Sequence, residues 1–164
     1  MLVRNWRLLT IMLTALSLGP VLGHILELPA KMKYEGGLWL TVSQTLYATF
    51  GTVGAAFEVG AVIATVVLAI IVRQRRPAFG WTIFAAVCVI ASHAAFWVWL
   101  APVNATIAAL TIDTLPSNWE GLRNQWEYTH AARAVLQFIA LGALVVSILV
   151  ETSLIVSRDQ TREL

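Results

Sequence analysis

Charge is scarce in this chain: 12% of its 164 residues are charged, whereas 59% are hydrophobic, and mean hydropathy is +0.76. A water-soluble domain of this length needs a polar and charged cover that such a composition cannot supply. Lipid is therefore the expected solvent. The net charge of +2 is too small, and the basic residues too scattered, to form a nucleic-acid footprint, so no nucleic-acid partner is expected. Cysteine is almost missing as well. Cys88 stands alone, which excludes an intrachain disulfide, and its apolar neighbours make it a packing residue. Internal repeats and low-complexity tracts are also lacking.

What is present is a set of apolar stretches, each long enough to cross a hydrocarbon core, which takes about 20 helical residues. They run over about 8–28, 41–72, 79–101 and 118–156, the last turning apolar from Trp126. The expected fold is a single all-α domain, a four-transmembrane-helix bundle embedded in the bilayer as a multi-pass protein of the plasma or inner membrane. Arg4 and Arg7 precede the first stretch, Arg73, Arg75 and Arg76 fill the turn between the second and third, and Arg158 and Arg162 follow the last. The opposite side carries Lys31, Lys33 and Arg123. Short basic loops stay in the cytoplasm, which places both termini and the middle turn there. Trp39, Trp97, Trp99, Trp119 and Trp126 then read as an interfacial belt at the outer face. Arg4, Arg7 and Val21-Leu22-Gly23 also fit a cleavable signal peptide. Removing it would leave three spans with the two ends on opposite sides, so the segment is read as a retained helix.

Residues 102–117, with Pro102, Asn104, Asp113, Pro116 and Ser117, are expected to form the longest external loop. Ser117 and Glu120 have the spacing of a capping box, which predicts a helix start at Asn118. Asn104-Ala105-Thr106 matches a glycosylation acceptor, a short pattern that arises often by chance.

Ionisable residues inside the spans are few, and each costs about 2.5 to 3.5 kcal/mol at the bilayer centre even on the lenient insertion scale. They are His24, Glu27, Glu58, His93, Glu127, His130, Arg133 and Glu151. Glu151 lies near the inner end, where it can snorkel. At a rise of 1.5 Å per residue, Glu58 and His93 both stand about 21 Å above the inner end of their helices, and His24 about 24 Å. His130 lies nearer the outer end of its own long helix. All four spans thus contribute to the outer half of the bundle. Their faces agree too. Gln44, Tyr47, Gly51, Gly54 and Glu58 recur at three and four residues, as do Trp119, Leu122, Trp126, His130 and Arg133, continuing to Gln137. Gly51 and Gly54 would admit a neighbouring backbone or a flat ligand.

Imidazoles with carboxylates are the ligand set of zinc, iron and copper sites, and helical bundles build such sites from facing helices. His24-Ile25-Leu26-Glu27 and Glu127-Tyr128-Thr129-His130 give two pairs at that spacing. The expectation is one polar cavity in which His24, Glu58, His93 and His130 hold a metal ion. Glu27, Asn104, Trp126 and Glu127 would support these ligands, and Glu58, His130 and Arg133 would act on substrate. A metal would activate dioxygen; without one, buried Glu58 would serve as general base. The bland alternative is an ion-pair network in which Arg133 satisfies the carboxylates and the histidines bond carbonyls across helices.

A resemblance adds to this. Gly23-His24-Ile25-Leu26-Glu27-Leu28-Pro29-Ala30-Lys31 resembles the end of the first helix in the anthrone-oxygenase-like family of small four-helix membrane proteins. Trp39 with Gln44, then Ala101-Pro102-Val103-Asn104, then Leu122-Arg123-Asn124-Gln125-Trp126 with His130, Ala131 and Arg133 follow in the same order. The resemblance covers nearly the whole chain, and the ordering of short motifs carries it. It implies an oxidoreductase that uses dioxygen on a flat, lipophilic aromatic or quinol-like small molecule. It also implies that His24, Glu27, Asn104, Trp126, His130 and Arg133 occupy motif positions. Glu58 and His93 come from the residue reading alone. Two other classes stay open: a haem-binding or electron-carrying bundle with two histidines as axial ligands, and a non-enzymatic membrane subunit or small transporter. A homo-oligomer is compatible with each.

Overall fold

The computed structural model describes residues 1–160, and the side chains of all of these except Ala48, Thr49 and 153–160. Predominantly apolar runs wind into helices because, without water, backbone groups must bond within their own segment. The elements are α1 (Leu2–Lys31), α2 (Gly36–Ile71), α3 (Ala78–Ala95), a π-helical turn (Phe96–Leu100), α4 (Ala101–Ala109), a 3-10 turn (Ile112–Thr114) and α5 (Trp119–Gln160). Among the described residues four stretches are long and apolar enough to cross a membrane: Leu2–Lys31, Phe50–Ile71, Ala78–Ala109 and Trp119–Thr152. No strand occurs among the described residues. Arg162 and the side chain of Arg158 lie outside them.

The long helices close a ring in which α1 packs on α2, α2 on α3, α3 on α5 and α5 on α1. At one end, Glu151 of α5 binds both Arg7 of α1 and Arg75 of the 72–77 turn, the latter at 2.6 Å. This arginine end therefore gathers the start of α1, the α2–α3 turn and the far part of α5. At the opposite loop end, Arg123 donates to Tyr34 O at 3.1 Å, and Gln44 Nε2 donates to both Ile107 O and Leu110 O at 2.8 Å. Small residues line the contacts, with Ala61, Ala64, Ala85, Ala134, Ala140 and Ala143 all buried. They let helix backbones approach closely, since apolar burial gives no net drive between helices surrounded by lipid. Some buried hydroxyls bond within their own helix, Thr14 to Thr10 O at 2.8 Å and Thr65 to Ala61 O at 2.6 Å. Cys88 packs in the apolar cluster of the arginine half.

Several boundaries differ from the sequence expectation. The first helix reaches Lys31, past Pro29, so Lys31 belongs to α1 and not to a loop. The third span does not end near residue 101. It continues through the π-helical turn into α4, so the expected loop 102–117 loses its first half. Pro102 sits in the first turn of α4, where a missing N–H costs least. The box expected at Ser117 and Glu120 is not formed among the described residues. Glu120 instead approaches Arg123 at 3.5 Å, and the reciprocal side-chain cap occurs at Thr111 and Thr114. Trp97 and Trp99 are exposed as a belt requires, but Trp39 and Trp126 are core residues, 1% and 4% exposed. Trp39 stacks on Trp119 with centroids 5.7 Å apart. Gly36 makes this packing possible, because a Cβ there would lie 2.5 Å from Leu115 Cδ2.

Candidate functional site

Toward the loop end lies a cavity of about 740 Å3, lined from all four spans. The polar stripe of α2 faces it through Gln44, Tyr47, Gly51, Gly54 and Glu58. A Cβ on Gly51 would meet nothing within 4 Å, so this glycine opens directly onto the space, whereas Gly54 faces Pro20 of α1 at 3.8 Å. Phe50, Gly51, Ala55 and Val59 of α2, together with Trp97, line the cavity and are also exposed. The mouth therefore lies on the flank of the bundle between α2 and the third span.

His24, Glu58, His93, Asn104, Trp126, His130 and Arg133 all line this one cavity. Glu27 and Glu127 do not. They stand behind it, held by Lys31, which is 1% exposed. Lys31 Nζ lies 2.7 Å from Glu127 Oε2 and 3.8 Å from Glu27 Oε2. The nearer contact is an ion pair by distance without hydrogen-bond alignment, and Glu127 Oε1 has no hydrogen-bond partner. Lys31 also donates to His24 Nδ1 at 3.1 Å, and lies 5.0 Å and 4.9 Å from the ring centroids of Tyr47 and Trp126. The Tyr47 hydroxyl donates to Glu27.

A second ion pair forms the floor. Arg133 Nη2 donates to Glu58 Oε2 at 2.5 Å, and its Nε donates to Ser92 O at 3.2 Å. Beneath it, Gln137 ties three helices by donating to Ser92 Oγ and accepting from Ser17, both at 3.0 Å. Glu58 Oε1 faces His93 Nδ1 at 3.6 Å, beyond hydrogen-bond reach, and both atoms are buried without a hydrogen-bond partner.

The hydrogen bonds assign the imidazole nitrogens. His24 Nδ1 accepts from an ammonium, and His93 Nε2 accepts from Trp97 Nε1–H at 3.1 Å, so both lone pairs are occupied. His130 Nδ1 lies 2.9 Å from Trp126 O. A carbonyl only accepts, so this nitrogen carries the proton and the lone pair is on Nε2. No bond to that Nε2 is seen among the described residues. His130 thus presents the one imidazole lone pair not already engaged by a donor. Its ring stands 4.1 Å from His24 and 4.3 Å from Trp126, centroid to centroid. Trp126 Nε1 donates to Asn104 Oδ1 at 2.8 Å, which leaves the Asn104 amide hydrogens available to the cavity.

The four expected metal ligands therefore share a cavity but not a coordination shell. Among the described residues no three His, Cys, Asp or Glu side chains gather as a metal-holding group. The physical reason is that Lys31 and Arg133 stand against the carboxylates, while Lys31 and Trp97 occupy two of the imidazole lone pairs. Lys31 is the residue that sequence reasoning missed. Its signal is the spacing of four from Glu27 and seven from His24, which continues one face of α1. No protein-family model, curated protein or solved structure matches the chain.

Proposed function

We propose that this protein is a membrane oxidoreductase of the oxygenase type, which oxidises a flat, lipophilic aromatic or quinol-like compound at the cavity of the loop end. The observation that carries the reading is the unengaged Nε2 of His130, set beside the Arg133–Glu58 pair in an aromatic-walled cavity open on the flank of the bundle. In this reading His130 is the general base. Glu58 neutralises Arg133, because one of its oxygens is already bonded there. A carbon acid such as an anthrone gives up a proton to His130. The resulting carbanion delivers electrons to dioxygen, and the C–O bond that forms gives a peroxide anion. That anion takes the proton back from His130, and the resulting hydroperoxide loses water to leave a carbonyl, so one O2 converts one CH2 to C=O with release of one H2O. Arg133 and the Asn104 amide supply positive potential and hydrogen-bond donors for developing negative charge on oxygen. The arginine end faces the cytoplasm of a plasma or inner membrane under the short-loop charge rule.

Purified protein in lipid nanodiscs, given an anthrone, should consume dioxygen and form quinone in equal amounts. Substituting a positioned base costs about 10²- to 10⁴-fold, so His130→Ala should lower the rate by that much. Metal analysis of the same samples separates a base-driven reaction from a metal-assisted one. A His130→Ala protein as active as wild type would refute the assignment.

A further inference from the structure

At the arginine end lies a second cavity, also of about 740 Å3, between the first turns of α1, the α2–α3 turn and α5. Its charged lining is Arg4, Arg7 and Arg75, and its apolar lining includes Leu8, Ile11 and Ile148. One carboxylate faces these three cations: Glu151 binds Arg7 and Arg75, and Arg4 has no ion-pair partner among the described residues. Among the described residues the local balance is therefore three positive charges against one negative, a surplus of two. Arg7 Nε is buried without a hydrogen-bond partner, an unmet donor of the kind that costs about 1 to 3 kcal/mol when left so. Leu2 and Leu8 beside the arginines are 64% and 63% exposed. Cationic head and apolar wall thus meet at one end of helices long and apolar enough to cross a membrane.

We propose that this cavity is a binding site for one anionic phospholipid. Its phosphodiester lies between Arg4, Arg7 and Arg75, and an acyl chain runs along Leu8, Ile11 and Ile148. Guanidinium groups match phosphate oxygens by paired N–H donors, and the surplus charge selects an anionic over a zwitterionic headgroup. The site is independent of the oxidation chemistry at the other end.

The test uses full-length protein in nanodiscs of phosphatidylcholine, titrated with phosphatidylglycerol and read by retention of lipid in native mass spectrometry. A basic residue beside an anionic membrane surface contributes about 1 kcal/mol, or roughly fivefold in affinity. The wild type should prefer phosphatidylglycerol, and Arg4→Gln, which removes no intramolecular pair, should reduce that preference roughly fivefold. Arg73→Gln takes the same charge from the same end of the bundle, in the α2–α3 turn but outside the cavity, and should leave the preference intact. Equal losses in the two variants would mean general surface charge and overturn the site. So would equal retention of both lipids by the wild type. Inorganic phosphate or glycerol phosphate that competes as well as the lipid would show an anion site without the acyl groove, and would also overturn it.

Discussion

Replacing Lys31 by methionine isolates the most consequential contact that the sequence did not reveal. The substitution keeps the length and apolar stem of the side chain and removes the ammonium. That ammonium lies 2.7 Å from the Glu127 carboxylate, and Glu127 is 1% exposed. At an effective dielectric constant near 20 the gross attraction is about 6 kcal/mol. Desolvation of both ions cancels much of this, and removing one member of a buried pair costs about 3 to 5 kcal/mol because the other charge is stranded. His24 Nδ1 loses its donor as well. Glu27 adds little to the loss, since its side chain is 44% exposed and water can serve it. The expected cost of Lys31→Met is therefore about 4 kcal/mol. Removing both charges together, in Lys31→Met with Glu127→Leu, should cost about 2 kcal/mol less than the sum of the singles, because the stranded charge disappears. Equilibrium unfolding in mixed micelles, followed through tryptophan fluorescence, measures all three variants. A Lys31→Met cost below about 1 kcal/mol, or strictly additive singles, would show that the pair does not hold the cluster as argued.

Bulk at the two cavity glycines should act oppositely: Gly51→Leu projects into open space and should raise KM at least tenfold with little loss of stability, while Gly54→Leu meets Pro20 and should cost about 1 to 3 kcal/mol. Substrate titrations and unfolding curves of the same two proteins separate these outcomes. Gly36→Ala places a methyl 2.5 Å from Leu115 Cδ2, so about 1 to 3 kcal/mol should be lost, visible as a lowered Tm and exposure of Trp119 to quenchers. Orientation is checked by thiol labelling of intact cells, for which Cys88 is a silent background because it is buried. Ser117→Cys should react with an impermeant reagent and Gln74→Cys should not, and the reverse pattern would invert the topology.

The spans were legible because a 20-residue apolar run has one stable solution in lipid, and the α2 stripe because helical periodicity fixes which residues share a face. His24, Glu58, His93 and His130, counted into the outer half of their helices, line one cavity. What spacing does not encode is which partner each group chooses once there. Charge placement puts Lys31 beyond a first span ending near Leu28, yet α1 runs three residues further and turns the ammonium inward. That extension brings the ammonium to Glu127 and His24, partners that the spacing does not name. Trp126 was read as an interface anchor because aromatic composition is the same in a belt and in a cavity wall. The extension through Phe96–Leu100 was hidden for a similar reason, since a change of backbone register leaves no compositional trace.

The flank opening bounded by Phe50, Gly51, Ala55, Val59 and Trp97 has a consequence for how this protein would be assayed. A compound that arrives sideways is drawn from the acyl phase, where its amount per lipid, and not its molarity in buffer, sets occupancy. Saturation curves at different lipid-to-protein ratios should then collapse onto one line only when plotted against mole fraction in the bilayer. Adding inert lipid would act as a diluent and slow turnover with no change in total substrate. Ranking compounds by aqueous half-saturation would instead rank their partition coefficients.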